Sequence, residues 1–184
     1  MDGNIMKIKA SGAGARTSRQ DNLSVTGEAA SHTMAQTDLA RMNKLKPVIN
    51  KVAQEKGIEP AVLAGIISRE SRGGNALDAS GCGDGGNAFG VMQVDKRYHT
   101  PQGDWNSEQH VRQGAEILTG FVRQMKQKFP NSTPEEQLRG GIAAYNCGPN
   151  KVQSLHQMDS GTYDGDYSSD VVARAQWYKQ NGGF

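Results

Sequence analysis

The chain has 184 residues, 35% of them hydrophobic, with a mean hydropathy of −0.67, which suits one soluble domain with a core of its own. Its 21 Lys and Arg against 19 Asp and Glu give a net charge of +2 spread along the chain, whereas a dedicated nucleic-acid binder concentrates its basic residues. No stretch has the apolar length of a membrane-spanning helix, and the opening MDGNIMKIKASGAGARTS has no signal-peptide core; the expectation is a protein that stays in the cytoplasm, reaches the extracellular space by a non-classical route, or has lost its signal.

Residues 1–36 are rich in Gly, Ser, Ala and Thr without periodicity, and read as a loosely ordered extension. From Thr37, the residues Leu39, Met42, Leu45, Val48, Ile49 and Val52 recur at helical spacing. Gly57 suits the stop of that helix, and Pro47 is expected to kink or divide it. Pro60 suits the first position of the next helix, which Gly73-Gly74 should end. Glycines then punctuate residues 73–106, where the one strand-like run is Phe89–Val94, and a small β-lobe is predicted. Val111, Ala115, Leu118, Val122, Met125 and Phe129 mark a helix that Pro130 stops. Thr133 followed by Pro134-Glu135-Glu136 opens another, running to about Cys147. A short helix around residues 152–158 and a last one from about Ser169 complete the pattern.

At about 100° per residue, Leu63, Ile66, Ile67 and Glu70 share one arc roughly 100° wide, while Arg72 points away and Arg69 lies about 100° from Glu70. Glu70 therefore extends an apolar stripe. Desolvation there favours the neutral carboxyl, the form a general acid needs near neutral pH. The plain alternative is a glutamate at a frayed helix end, turned to water or paired with a distant cation, and periodicity by itself favours that reading because buried carboxyls are rare. In the Gly-rich lobe, Asp78, Asp84 and Asp95 each suit turns. Strand alternation would place Val91, Gln93 and Asp95 on one face. A neutral Glu with one or two ionised Asp from another segment is an arrangement that cleaves glycosidic bonds. Tyr145-Asn146 offers an aromatic face with amide groups for a sugar, or equally a core tyrosine with a capping asparagine.

Other patterns fail their context. Gly81–Gly86 matches GxGxxG but neither follows an apolar strand nor leads into a helix. Asp159, Asp164, Asp166 and Asp170 miss the EF-hand spacing and read as a solvated acidic loop. His32, His99, His110 and His156 show no HExxH pairing, and Cys82 and Cys147 fit no zinc pattern, which leaves free thiols or one disulfide.

The segments GIISRES (65–71), GDGGN (83–87), FGVMQVDKR (89–97), GGIAAYN (140–146) and DVVARAQ (170–176) occur in an order and spacing that resembles goose-type lysozymes. The resemblance covers residues 37–184 well and the start more weakly. It implies a mostly helical α+β lysozyme-like fold, with a small three-stranded antiparallel sheet lobe beside the cleft, as a single catalytic domain over 37–184. It also implies hydrolysis of the β-1,4 bond between N-acetylmuramic acid and N-acetylglucosamine in peptidoglycan, as in antibacterial defence. By position, Glu70 would be the general acid, and Asp84 and Asp95 would hold the attacking water, with inversion and a carboxyl separation of ~6.5–9.5 Å. Gln93, His99, Phe121, Tyr145, Asn146 and Tyr167 would contact the sugars. No metal or organic cofactor is implied, and the expected partner is peptidoglycan or a chitooligosaccharide bound by a monomer, with no nucleic acid and no membrane. Avian members fix their N-terminal region with two disulfides; here no cysteine precedes Cys82, and this, with no signal peptide, resembles fish members and a reducing compartment. Two other readings remain at this level: a lytic transglycosylase, which needs no aspartate, and a glycan-binding domain without activity.

Overall fold

The computed structural model describes residues 1–184. Its helices are α1 (Ala15–Arg19), α2 (Glu28–Lys56), α3 (Pro60–Ser71), α4 (Glu108–Lys128), α5 (Pro134–Cys147) and α6 (Tyr167–Asn181). Between α3 and α4 lie three two-residue strands, β1 (Cys82–Gly83), β2 (Ala88–Phe89) and β3 (Val94–Asp95), in an antiparallel sheet of order β1-β2-β3. Cys82 pairs with Phe89, and Phe89 with Val94. The α+β, mostly helical architecture with a small sheet lobe is thus the one expected.

α3 is the axis of the molecule. Every residue from Ala61 to Ser68 is buried, as befits a helix that is apolar nearly all round. It packs between α2 and α6, and Gly65 permits the close approach of α6: a Cβ there would lie 2.8 Å from the Val171 carbonyl oxygen and 2.9 Å from the Ala175 Cβ. Leu63, Ile66 and Ile67 join Met42, Ile49, Leu118, Ile142 and Val171 in one core, where each such side chain contributes about 1.5–3 kcal/mol by leaving water. The helix stops one residue earlier than expected, at Arg72, which takes the left-handed conformation with φ +55°. Ion pairs from its guanidinium to Asp21 (2.6 Å) and Asp38 (2.7 Å) hold a conformation that a non-glycine residue seldom adopts. α5 opens as predicted, with Thr133 Oγ accepting from the Glu136 N–H and the Glu136 carboxylate accepting from the Thr133 N–H.

Four expectations are corrected. α2 begins at Glu28 rather than Thr37 and runs through Pro47 undivided, because Met34, Met42, Leu45 and Ile49 are all buried and packing outweighs the lost backbone bond. Residues 1–36 are not a loose extension. Ile5 is fully buried, Gln176 Nε2 donates to the carbonyls of Ile5 and Ile8, Ser169 Oγ accepts from the Ser11 and Gly12 N–H groups, and Ala13 bridges to Gly27. Residues 152–158 form no helix; after a 3₁₀ turn at Pro149–Lys151, Val152 and Met158 are drawn into a second small core with Met125, Ala143 and Ala144.

The fourth correction shapes the site. Phe89–Val94 is not one strand: Gly90 and Gln93 have positive φ, and the chain turns between β2 and β3. Its polar groups go elsewhere. The Val91 N–H donates to the Trp105 carbonyl and the Met92 N–H to His110 Nε2, while the Val91 and Met92 carbonyls accept from Ser71 and Tyr145 hydroxyls. The alternation of Val91, Gln93 and Asp95 on one face therefore does not arise. Cys82 and Cys147 are free thiols.

Candidate active site

Glu70 lies in the last turn of α3, half-buried, where the elements around it converge. Tyr167, at the start of α6 and 1% exposed, donates its hydroxyl to Glu70 Oε2 at 2.9 Å. Tyr145, near the end of α5, donates to the Met92 carbonyl at 2.6 Å, so the turn of the β-lobe is fastened to α5 beside the carboxyl. Enclosure by protein pushes the Glu70 carboxyl up from 4.5 to about 7. The Tyr167 hydrogen bond and the positive charge of Arg69 pull the other way without prevailing, and the negative charge of Asp84 adds to the rise. Desolvation and the Glu70 charge hold both phenols well above their usual range, so they stay protonated donors.

Asp84 occupies the 3₁₀ turn that follows β1, with a φ of +51° and an exposed side chain. Its negative charge favours the neutral form of the Glu70 carboxyl. Asp95, ending β3, is engaged differently. Its Oδ1 accepts from the Arg97 N–H and Nε, and its Oδ2 from Arg97 Nη2 at 2.8 Å. The Arg97 side chain holds this carboxyl below the usual carboxylate range. His99 is exposed close by, its N–H donating to the Asp95 carbonyl.

The remaining predicted residues divide by what their polar atoms do. Gln93 Nε2 donates to the Gly90 carbonyl at 3.0 Å and its amide oxygen packs on Gly83, so it braces the turn. Asn146 Oδ1 accepts from the Tyr163 N–H at 2.8 Å and leaves the amide nitrogen without a partner in the protein. Phe121 on α4 packs against the second core. A cavity of about 370 Å³, lined by Leu77, Phe89 and Trp105 among others, has none of these candidates in its lining.

Sequence reasoning missed the charged layer behind Glu70. The supposed solvated acidic loop is largely inside: Asp159, Asp166 and Asp170 are 8%, 7% and 0% exposed. Arg69 Nη1 pairs with Asp166 Oδ1 at 3.0 Å and Asp170 Oδ2 at 2.7 Å, and Asp170 also pairs with the buried Arg174. Such charges are tolerated inside only when each is matched. The signal was present as Asp166, Asp170 and Arg174 at four-residue steps, but it becomes a helical stripe only once α6 is known to begin at Tyr167. No group of three or more His, Cys, Asp or Glu is gathered as for a metal ion.

Known proteins are similar to this chain over nearly its whole length. The sequence model of the family described as lysozyme g matches residues 2–182. Lysozyme G of Dromaius novaehollandiae is 51% identical over 180 residues, spanning 98% of this chain and 88% of its own. Lysozyme g of the fish Cyprinus carpio is 51% identical over 180 residues, 98% of this chain and 97% of its own, and that of Epinephelus coioides is 50% identical over 99% and 98%.

Proposed function

The chain belongs to the lysozyme g family, and from that premise we propose that it cleaves glycan strands with inversion, using Glu70 as general acid and Asp84 and Asp95 to serve the attacking water. It is a glycoside hydrolase, a muramidase that acts on peptidoglycan in antibacterial defence. The observation that carries the mechanism is the Glu70 carboxyl, enclosed, hydrogen-bonded to Tyr167 and pushed up to about 7.

A carboxyl with that proton affinity is still largely protonated just below neutral pH, and can deliver its proton to the glycosidic oxygen as the bond breaks. The leaving alcohol takes the proton, and the anomeric carbon gains a hydroxyl from water on the opposite face. Asp84 is the main acceptor of that water's proton, because its carboxylate is accessible and electrostatically in the same site as Glu70. Asp95, with both oxygens taken by Arg97, orients the water more than it accepts its proton.

Sugar contacts fall to groups with atoms to spare. The Asn146 amide nitrogen, the exposed His99 ring and the Phe121 face meet the glycan, Tyr145 offers its ring, and Gln93 and Tyr167 hold the walls. The protein works as a monomer without nucleic acid or membrane: its large exposed apolar side chains, Val25, Tyr98, Trp105 and Tyr163, are scattered along the chain.

The test is lysis of bacterial cell walls by Glu70→Gln alongside mass spectrometry of the wild-type products. The variant should lose about 10²–10⁴-fold in rate, the usual worth of general acid assistance. Unchanged lysis would remove Glu70 from the mechanism, and 1,6-anhydro ends in place of reducing ends would mean transglycosylation.

A further inference from the structure

Arg69 precedes the acid in sequence and points about 100° away from it round the helix, into the acidic pair on α6 and the loop before it. Its side chain is 6% exposed and is fixed by Asp166 and Asp170. Its guanidinium carbon stands 5.2 Å from the centroid of the Tyr167 ring, within the range of an attractive cation–π contact. The same ring carries the hydroxyl that donates to Glu70. A buried cation is thus matched by carboxylates on one side and an aromatic face on the other, and the far edge of that aromatic holds the acid.

We propose that Arg69 is a positioning residue for the reaction: it seats the Tyr167 ring, and so the hydroxyl on Glu70, while its charge, offset by Asp166 and Asp170, faces the acid from behind. This rests on Glu70 being the general acid.

The groups facing Glu70 are Arg69 on α3, Tyr167 on α6, Tyr145 on α5 and Asp84 from the β-lobe. Two of them are charged at neutral pH, with opposite signs. The positive charge of Arg69 favours ionised Glu70, so removing it makes the acid hold its proton to higher pH. Asp166 and Asp170 screen that positive charge. Removing one of them leaves Arg69 stronger, and Glu70 gives up its proton at lower pH. Asp166 also accepts from the Gly14 N–H at 2.8 Å, so the N-terminal segment helps to hold the carboxylate that holds Arg69.

The experiment measures kcat/KM for the N-acetylglucosamine hexamer against pH, for the full-length protein, over the range in which circular dichroism shows it folded. The alkaline limb reports ionisation of the acid. Arg69→Gln should move that limb up by about one pH unit, the low end of what a neighbouring opposite charge gives, and lower kcat more than it raises KM. Asp166→Asn should move it down. Arg69→Lys, which keeps the charge, should leave the limb near its wild-type position. A structural defect alone would not move the limb in opposite directions in the first two variants. Limbs that stay put, or move the same way in both, overturn the proposal; if Arg69→Gln does not fold, the downward shift in Asp166→Asn and the retained limb in Arg69→Lys decide it. Glu70→Gln is the control: full activity there would fail the acid assignment itself, whereas an inactive Glu70→Gln with unmoved Arg69 and Asp166 limbs fails only this proposal.

Discussion

Replacing Glu70 by Gln should stabilise the protein by an amount that is absent in acid and grows as pH rises from 4.5 to about 7. The folded-state carboxyl is raised from 4.5 to about 7 by its enclosure. Because the folded value lies above the unfolded one, the neutral carboxyl favours the fold fully below 4.5, and that contribution is lost as pH rises through about 7. At about 1.4 kcal/mol per pKa unit, the wild type carries a penalty of about 3 kcal/mol once Glu70 is ionised. Gln fills the same volume, can accept from Tyr167, and never ionises. Denaturant unfolding of both proteins at one pH below 4.5 and one above 7 is the assay. The two should agree within about 0.5 kcal/mol in acid, and the variant should lead by about 3 kcal/mol in alkali, or roughly 6–12 °C in Tm for a chain this long. A difference that is the same at both pH values would refute the reasoning, since the enclosure would then not be resisting the charge.

Three further outcomes follow from the geometry. Asp84→Asn should cost about 10²-fold in kcat, at the low end for proton-transfer assistance, and should also move the alkaline limb to lower pH by removing a negative charge that acts on Glu70; Asp95→Asn should cost less and leave the limb in place, both read from hydrolysis of a chitooligosaccharide. Ser169→Ala removes the acceptor of the Ser11 and Gly12 N–H groups, at about 1–3 kcal/mol for the buried Gly12 donor left unpaired, and should show first as faster proteolysis within residues 1–14.

How much of this was legible in the sequence depended on whether the interactions were local. α3, the N-cap at Thr133 and the apolar faces of α4 and α5 announced themselves because their periodicity and end signals lie within a few residues. Glu70 was visible on the apolar stripe, although periodicity alone favoured the plain reading and the ordered motifs were needed to reverse it. Residues 1–36 were misread because what orders them is polar and distant: Ser11 and Gly14 find their partners more than 150 residues later, at Ser169 and Asp166. The run Phe89–Val94 looked like a strand because its side chains suit one, but its backbone bonds run to Ser71, Trp105, His110 and Tyr145. Arg69 escaped notice because the angle that separates it from Glu70 on the helical wheel says nothing of the ring that connects them.

The dependence of Glu70 on α6 also has a consequence in time. A ribosome delivers Glu70 well before Tyr167, and the N-terminal segment waits for the same later helix, since Ser169, Asp166 and Gln176 are what it binds. Until α6 emerges, Gly65 of α3 has no helix to receive and Glu70 lacks the Tyr167 hydroxyl. We expect a product that lacks α6 to carry Glu70 and yet show no lysis, which a cell-wall lysis assay of that product would read.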